Sequence, residues 1–174
     1  MRVTSLFLLL FLSVTIVSAK LPFGEIPPII ILADDSGAKI DGASWSSEEL
    51  NSGKITILFY ADPDVGEINA HVNDAVKAEK FPQEKFTTVA ILNMAATWIP
   101  NAVISLKLKS KQRENKNLIY VKDLQKVLVK KWGLHDDGSN ILLFGKQGEV
   151  LYSANGKLSE AQIQKLLTMI REKL

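Results

Sequence analysis

The stretch Gly53-Lys54-Ile55-Thr56-Ile57-Leu58-Phe59-Tyr60-Ala61-Asp62-Pro63-Asp64-Val65-Gly66-Glu67 changes character twice along its length. Ile55 to Tyr60 is a continuous run of apolar and β-branched residues, the pattern of a strand covered on both faces in a parallel sheet. From Gly66 the period lengthens. Ile68, Val72, Ala75, Val76 and Glu79 fall at helical spacing before Pro82, which cannot continue a helix. Phe86 to Asn93 is again strand-like, so the predicted order is strand, helix, strand, with a right-handed crossover between parallel neighbours.

Towards the N-terminus, Glu25 to Pro28 is an extended lead-in, because residues before proline are pushed to extended geometry. Ile29 to Leu32 reads as a strand and Asp34 to Gly37 as a turn. Ser46-Ser47-Glu48-Glu49 has capping-box spacing, with Gly53 as a stop, and predicts one short helix. Towards the C-terminus, Ile99-Pro100-Asn101 can open a helix through Arg113, although Ala102, Ile104, Leu106 and Leu108 also alternate as a strand would. Length and the lysine-rich far end favour the helix. Leu118 to Val121 reads as a strand, and Asp123 can cap a short helix through Trp132 that stops at Gly133. Asn140 to Phe144 and Glu149 to Ser153, joined by Gly145 to Gly148, form a predicted hairpin. Ser159 and Gln162 make a second capping box, and Ile163, Leu166, Leu167, Ile170 and Leu174 mark an amphipathic terminal helix.

Composition bounds the chemistry. Met1-Arg2 precedes an apolar run from Leu6 to Leu12 and a small-residue exit at Val17-Ser18-Ala19, which is signal-peptide syntax. The run is shorter than the roughly 20 residues that span a bilayer. Export with cleavage after Ala19 is therefore expected, leaving one domain, residues 20–174, in the periplasm with no stable membrane anchor. The chain of 174 residues contains no cysteine. That removes disulfide exchange, thiol peroxidase chemistry, thiolate zinc sites, iron–sulfur clusters and lipoprotein attachment together. Charge is polarised: residues 20–106 carry six Lys against twelve Asp or Glu, net −6, and residues 107–131 carry nine Lys or Arg against two acids, net +7.

The order of elements, with a late β-hairpin and a closing helix, resembles the thioredoxin and peroxiredoxin superfamily. That resemblance implies a thioredoxin-like three-layer α/β/α sandwich with a central mixed sheet and an N-terminal β extension. In relatives of thioredoxin, Gly-Lys, a hydrophobic strand and Phe-x-Ala precede the CxxC motif at a helix start. Here Asp64 and Glu67 stand where those cysteines would align, a degenerate CxxC position. The superfamily's cis-proline also has no counterpart: its place falls near Gly138-Ser139-Asn140, and a non-proline cis bond costs about 2.5 to 4 kcal/mol. Within the superfamily the chain is similar to the YtfJ-type periplasmic proteins, through Ile26-Pro27-Pro28-Ile29, Gly53-Lys54, Thr87 to Asn93, Ile99-Pro100, Gly145 to Val150 and Leu158-Ser159-Glu160. This family brings no catalytic residues to transfer.

The residues themselves offer few sites. Asp62, Asp64 and Glu67 could form an acid–base pair or a hard-cation site, but acids at a helix start also simply favour its dipole, by about 0.3 to 1 kcal/mol each. His71 and His135 lack metal-ligand spacing, and His71 is expected on a helix surface. Gly42-Ala43-Ser44-Trp45-Ser46 lacks the second glycine of a nucleophile elbow, and no phosphate-binding glycine fingerprint exists. No metal, cofactor or nucleic-acid partner is expected. Trp45, Trp98 and Trp132 each fit core or rim packing; Trp98, beside Ile99-Pro100 after a strand, has as its second reading a place in the crevice where open α/β sheets bind ligands. Lys107, Lys109, Lys111, Arg113 and Lys116 read either as a solvated basic face or as an anion-binding surface. The resulting expectation is a non-catalytic binding or accessory protein of the envelope, with an envelope protein or anionic envelope component as partner; the alternative is a carboxylate enzyme using Asp64 and Glu67.

Overall fold

Eight strands and four helices follow one another in the structure, a computed structural model that describes residues 21–115 and 117–174. The expected signal peptide, residues 1–19, and Lys116 lie outside the described residues. The strands are β1 (Ile31–Leu32), β2 (Gly37–Lys39), β3 (Trp45–Ser46), β4 (Ile55–Ala61), β5 (Phe86–Asn93), β6 (Leu118–Asp123), β7 (Ser139–Phe144) and β8 (Val150–Asn155). The helices are α1 (Ala70–Ala78), α2 (Asn101–Glu114), α3 (Val127–Trp132) and α4 (Glu160–Lys173).

A six-stranded mixed sheet has the order β2-β6-β5-β4-β7-β8. β4, β5 and β6 run parallel, while β2, β7 and β8 each pair antiparallel with their neighbours. The central position of β4 explains its apolar and β-branched composition: Ile55, Thr56, Ile57, Leu58 and Tyr60 are all buried, facing alternate sides. On one side Ile55, Ile57, Ile141 and Leu143 pack against Val72 and Val76 of α1 and Ile163, Leu166, Leu167 and Ile170 of α4. On the same side α2 lays Ile104 and Leu108 over Leu118 and Tyr120 of β6. On the other side Leu58, Ile91, Val121 and Phe144 meet Leu128 and Trp132 of α3, together with Ile30, Leu32, Trp45 and Leu50 from the N-terminal region.

The N-terminal extension is divided between two sheets. β1 pairs with β3 in a separate two-stranded sheet, so the strand expected over Ile29–Leu32 shortens to Ile31–Leu32. Glu25 and Gly24 exchange backbone hydrogen bonds with Val150 at the start of β8, and the Trp132 indole N–H donates to the Pro28 carbonyl at 2.8 Å. β2, not anticipated from its three residues Gly-Ala-Lys, adds to the free edge of β6. Gly37 has φ +147°, and a Cβ there would run into the Lys122 carbonyl oxygen.

Two helix starts differ from their sequence expectation. α1 begins at Ala70, not Gly66, because Pro63–Val65 forms a tight 3-10 turn and residues 67–69 continue as turn, leaving Ile68 38% exposed. α3 begins at Val127, after Lys126 in the left-handed region at φ +57°. The segment Asn101–Glu114 is helical throughout, and the Ser159/Gln162 box caps α4 as expected.

Asp123, fully buried at the end of β6, joins three elements. Its Oδ1 accepts from the backbone N–H groups of Gln125 and Val127, at 3.1 and 2.9 Å. Its Oδ2 accepts from Leu128 N–H and from the Tyr60 hydroxyl of β4, at 3.0 and 3.2 Å. Burial, and then the nearby Asp123 charge, push the Tyr60 phenol pKa far above its ordinary value. The Asp123→Ala variant leaves these donors unsatisfied in the interior and is expected to cost about 3 kcal/mol or more in urea unfolding, against about 1 kcal/mol for Tyr60→Phe.

Candidate functional site

Functional sites of open α/β sheets lie at the C-terminal ends of parallel strands, here the segments after Ala61, Asn93 and Asp123. After β4, Asp62 is buried; its N–H donates to the Gly138 carbonyl at 2.9 Å and its Oδ1 accepts from Asp64 N–H at 2.8 Å. Asp62 is thus a capping residue of the Pro63–Val65 turn. Asp64 and Glu67 are both exposed and are held by different partners. The Thr97 hydroxyl donates to Asp64 Oδ1 at 2.9 Å, whereas Glu67 lies 3.4 Å from Lys111 Nζ of α2. Among the described residues, no group of three His, Cys, Asp or Glu side chains could hold a metal ion.

Ser139, at the place of the superfamily's cis-proline, is buried, and no cis peptide bond occurs among the described residues. Its Oγ accepts from Asn69 Nδ2 at 3.0 Å. The same amide donates to the Gly156 carbonyl at 2.8 Å and accepts from Leu158 N–H at 3.0 Å. Asn69 therefore ties the turn before α1 to β7 and to the segment before α4. Its position just ahead of a helix suits a capping amide, yet the side chain makes no cap bond; sequence pattern alone could not show that it reaches across the sheet. His71, expected on the surface, is half-buried, with Nε2 2.9 Å from the Leu158 carbonyl.

Between α1 and α2 a groove of about 380 Å³ opens over the sheet. Phe59 and Ala61 of β4, Ala90 and Leu92 of β5 and Tyr120 of β6 form its floor, since alternate residues of paired strands share a face. Ile99, Val103, Ile104 and Leu108 make the α2 wall, with Asn69, Ala70 and Asn73 opposite. The charged lining residues are Glu67, Lys107 and Lys111. Burial raises the Tyr120 phenol pKa, and the charges of Glu114 and Glu67 add to it.

The basic residues of α2 do not share one face. At about 100° per residue, Val103, Lys107 and Lys111 form one row along the groove, and Lys109 and Arg113 lie about 200° away from their row partners. Lys116, the fifth member of the expected surface, lies outside the described residues. Trp98 is 86% exposed, whereas Trp45 and Trp132 are buried.

On the opposite face, a polar cluster that no sequence motif marks closes the strand ends. Lys126 Nζ contacts Asp136 Oδ2 at 2.7 Å, and Asn93 Nδ2 donates to Asp136 Oδ1 at 2.8 Å. Asn140 holds the intervening loop through His135 N–H, at 3.0 Å, and the His135 carbonyl, at 2.9 Å. The Lys126 hydrogen bond holds the Asp136 carboxyl below its ordinary pKa, and Asp136 in turn raises Lys126.

Residues 30–173 match the family described as "Bacterial protein of unknown function (YtfJ_HI0045)". The chain belongs to this family. It is 25% identical over 160 residues to the uncharacterized protein YtfJ of Escherichia coli, covering 86% of this chain and 85% of that one. An uncharacterized protein of Haemophilus influenzae is 27% identical over 129 residues, covering 72% and 70% respectively. Among solved structures, the exposed lipoprotein thioredoxin Etrx1 of Streptococcus pneumoniae superposes with a TM-score of 0.61 at 15% identity, over 83% of this chain and 99% of that one. The YtfJ-family chain thus has the thioredoxin-like fold expected from its order of elements, without a cysteine for thiol chemistry.

Asp136 has a lowered pKa in the folded state, so its contribution to stability is present above its unfolded pKa, about 3.9, and is lost as pH falls through the folded value. Lys126 has the opposite sign: its contribution is present below about 10.4 and is lost as pH rises through the raised folded value. Asp136→Asn should therefore lower the urea midpoint at pH 7, and the difference from wild type should fade as pH falls from about 4 to about 2.

Proposed function

We propose that this YtfJ-family chain is a non-catalytic binding or accessory protein of the bacterial cell envelope, without thiol–disulfide or peroxidase activity, and that it takes its ligand in the groove between α1 and α2. The observation that carries this reading is the groove itself. Its volume of about 380 Å³ falls in the range of small-molecule sites, about 300 to 1,000 Å³. It is lined largely by apolar side chains with a few polar groups among them, and it adjoins Glu67 at the degenerate CxxC position. The absence of cysteine supports a binding role over a redox one, and the leader syntax of residues 1–19 supports the envelope.

The carboxylate enzyme using Asp64 and Glu67 gains no support from their placement. One is tied to Thr97 and the other to Lys111, both in solvent, whereas an acid–base pair needs two groups within reach of one substrate.

A neutral apolar fluorophore, N-phenyl-1-naphthylamine, should bind the folded protein saturably at one site. Ala90→Phe, which fills the groove floor, should abolish that binding while far-UV circular dichroism is unchanged. Val103→Asp, at a position 56% exposed and so tolerant of substitution, should weaken it. Binding unaffected by both variants overturns the assignment of the groove. Turnover of insulin disulfides or of peroxide by the purified protein overturns the non-catalytic reading.

A further inference from the structure

Resting on the groove reading, we infer that the ligand class is a single-chain fatty acid anion, its acyl chain lying over Phe59, Ala90 and Leu92 and its carboxylate meeting Lys107 and Lys111.

The floor of the groove is the side-chain face of three paired strands. The backbone groups of β4, β5 and β6 are committed to their ladders, so an extended peptide lying there would find no strand edge to satisfy its own N–H and C=O groups. Burying such groups unpaired is costly. An alkyl chain carries none, and it gains from apolar contact alone with each CH₂ buried. The buried polar side chain of the wall opposite α2, Asn69, is already satisfied by Ser139, Gly156 and Leu158, and so makes no demand on a ligand.

The charge of the groove selects the head. Lys107 and Lys111 stand one turn apart on the wall formed by Val103. Lys107 takes part in no ion pair among the described residues. Lys111 is paired with Glu67 at 3.4 Å, with side chains 43% and 74% exposed, a weak contact that a ligand carboxylate can replace. Two lysines against one glutamate leave a net single positive charge, which matches a monovalent carboxylate better than a divalent phosphate monoester. The volume, near the lower bound for ligand sites, suits one chain and not the two of a diacyl lipid.

Calorimetric titration of the purified protein with dodecanoate, dodecanol and dodecyl phosphate tests this. Dodecanoate should bind with one-to-one stoichiometry, displace N-phenyl-1-naphthylamine, and exceed dodecanol in affinity by at least about tenfold. Lys107→Gln/Lys111→Gln should remove most of that advantage, as should raising ionic strength from about 0.05 to about 0.5 M. If the fluorophore binds and dodecanoate does not displace it, the fatty acid assignment fails while the groove stands; if neither binds, the groove reading itself fails. Equal affinity for dodecanoate and dodecanol, or a preference for dodecyl phosphate, overturns the carboxylate head. Adsorption to phosphatidylglycerol vesicles that Ala90→Phe and excess dodecanoate both leave unchanged would instead make α2 a membrane-surface element and overturn the proposal.

Discussion

A buried carboxylate with four donors around it organises the C-terminal edge of this sheet. Asp123 has no exposure, and a carboxylate side chain in such a place is tolerable only when its lone pairs are filled. Filling them fixes three things at once: the turn that launches α3, the rotation of Tyr60 on β4, and the end of β6 where β2 adds its edge. Lys126 is drawn into the left-handed region by the same turn. Its ammonium then reaches Asp136, which the Asn93 amide also holds. The loop from Gly133 to Gly138 is thereby held against the sheet, where Asp62 N–H meets the Gly138 carbonyl.

With one face of the sheet closed by α3 and the N-terminal segment, the other face carries the unevenness. α1 and α4 share the side of β4, β7 and β8, while α2 rests over β6. The floor between α1 and α2 carries Ala61 and Ala90, side chains too small to fill the gap between two helices that each pack on different strands. The groove is therefore a consequence of small residues on central strands combined with a helix displaced towards the edge. It lies beside the place where thioredoxin relatives carry their redox motif. In this chain Glu67 borders it, Asp64 turns to Thr97, and Ser139 is knitted to Asn69. The strand ends at this position carry fixed polar contacts and no cysteine.

Much of this was written locally. The Phe86–Asn93 strand agrees at both ends with its apolar pattern, the Ser159/Gln162 box starts α4, and Ile55 to Tyr60 lies at the centre of the sheet. The helical alternative for Asn101–Glu114 prevails because Ile104 and Leu108, one turn apart, are the residues that meet β6, while Leu106 is 70% exposed. Less was legible where short segments depend on their partners: β2 exists because β6 offers a free edge, and the start of α1 moves because the Pro63–Val65 turn is completed by Asp62.

Sequence by itself determined the fold class and the exclusion of thiol chemistry, since hydrophobic period, capping spacing and the absence of an element are local or compositional properties. It also placed the lysines on one segment. Tertiary structure decided which of them lie together, because the seating of α2 on the sheet turns Lys107 and Lys111 to the groove and Lys109 and Arg113 away from it. It also decided that Asn69 meets Ser139, 70 positions distant in the chain, and that a cavity exists at all. Contacts between residues so far apart are set by the pairing of strands and the seating of helices on them, and no spacing within a single segment encodes the width of the space left between two.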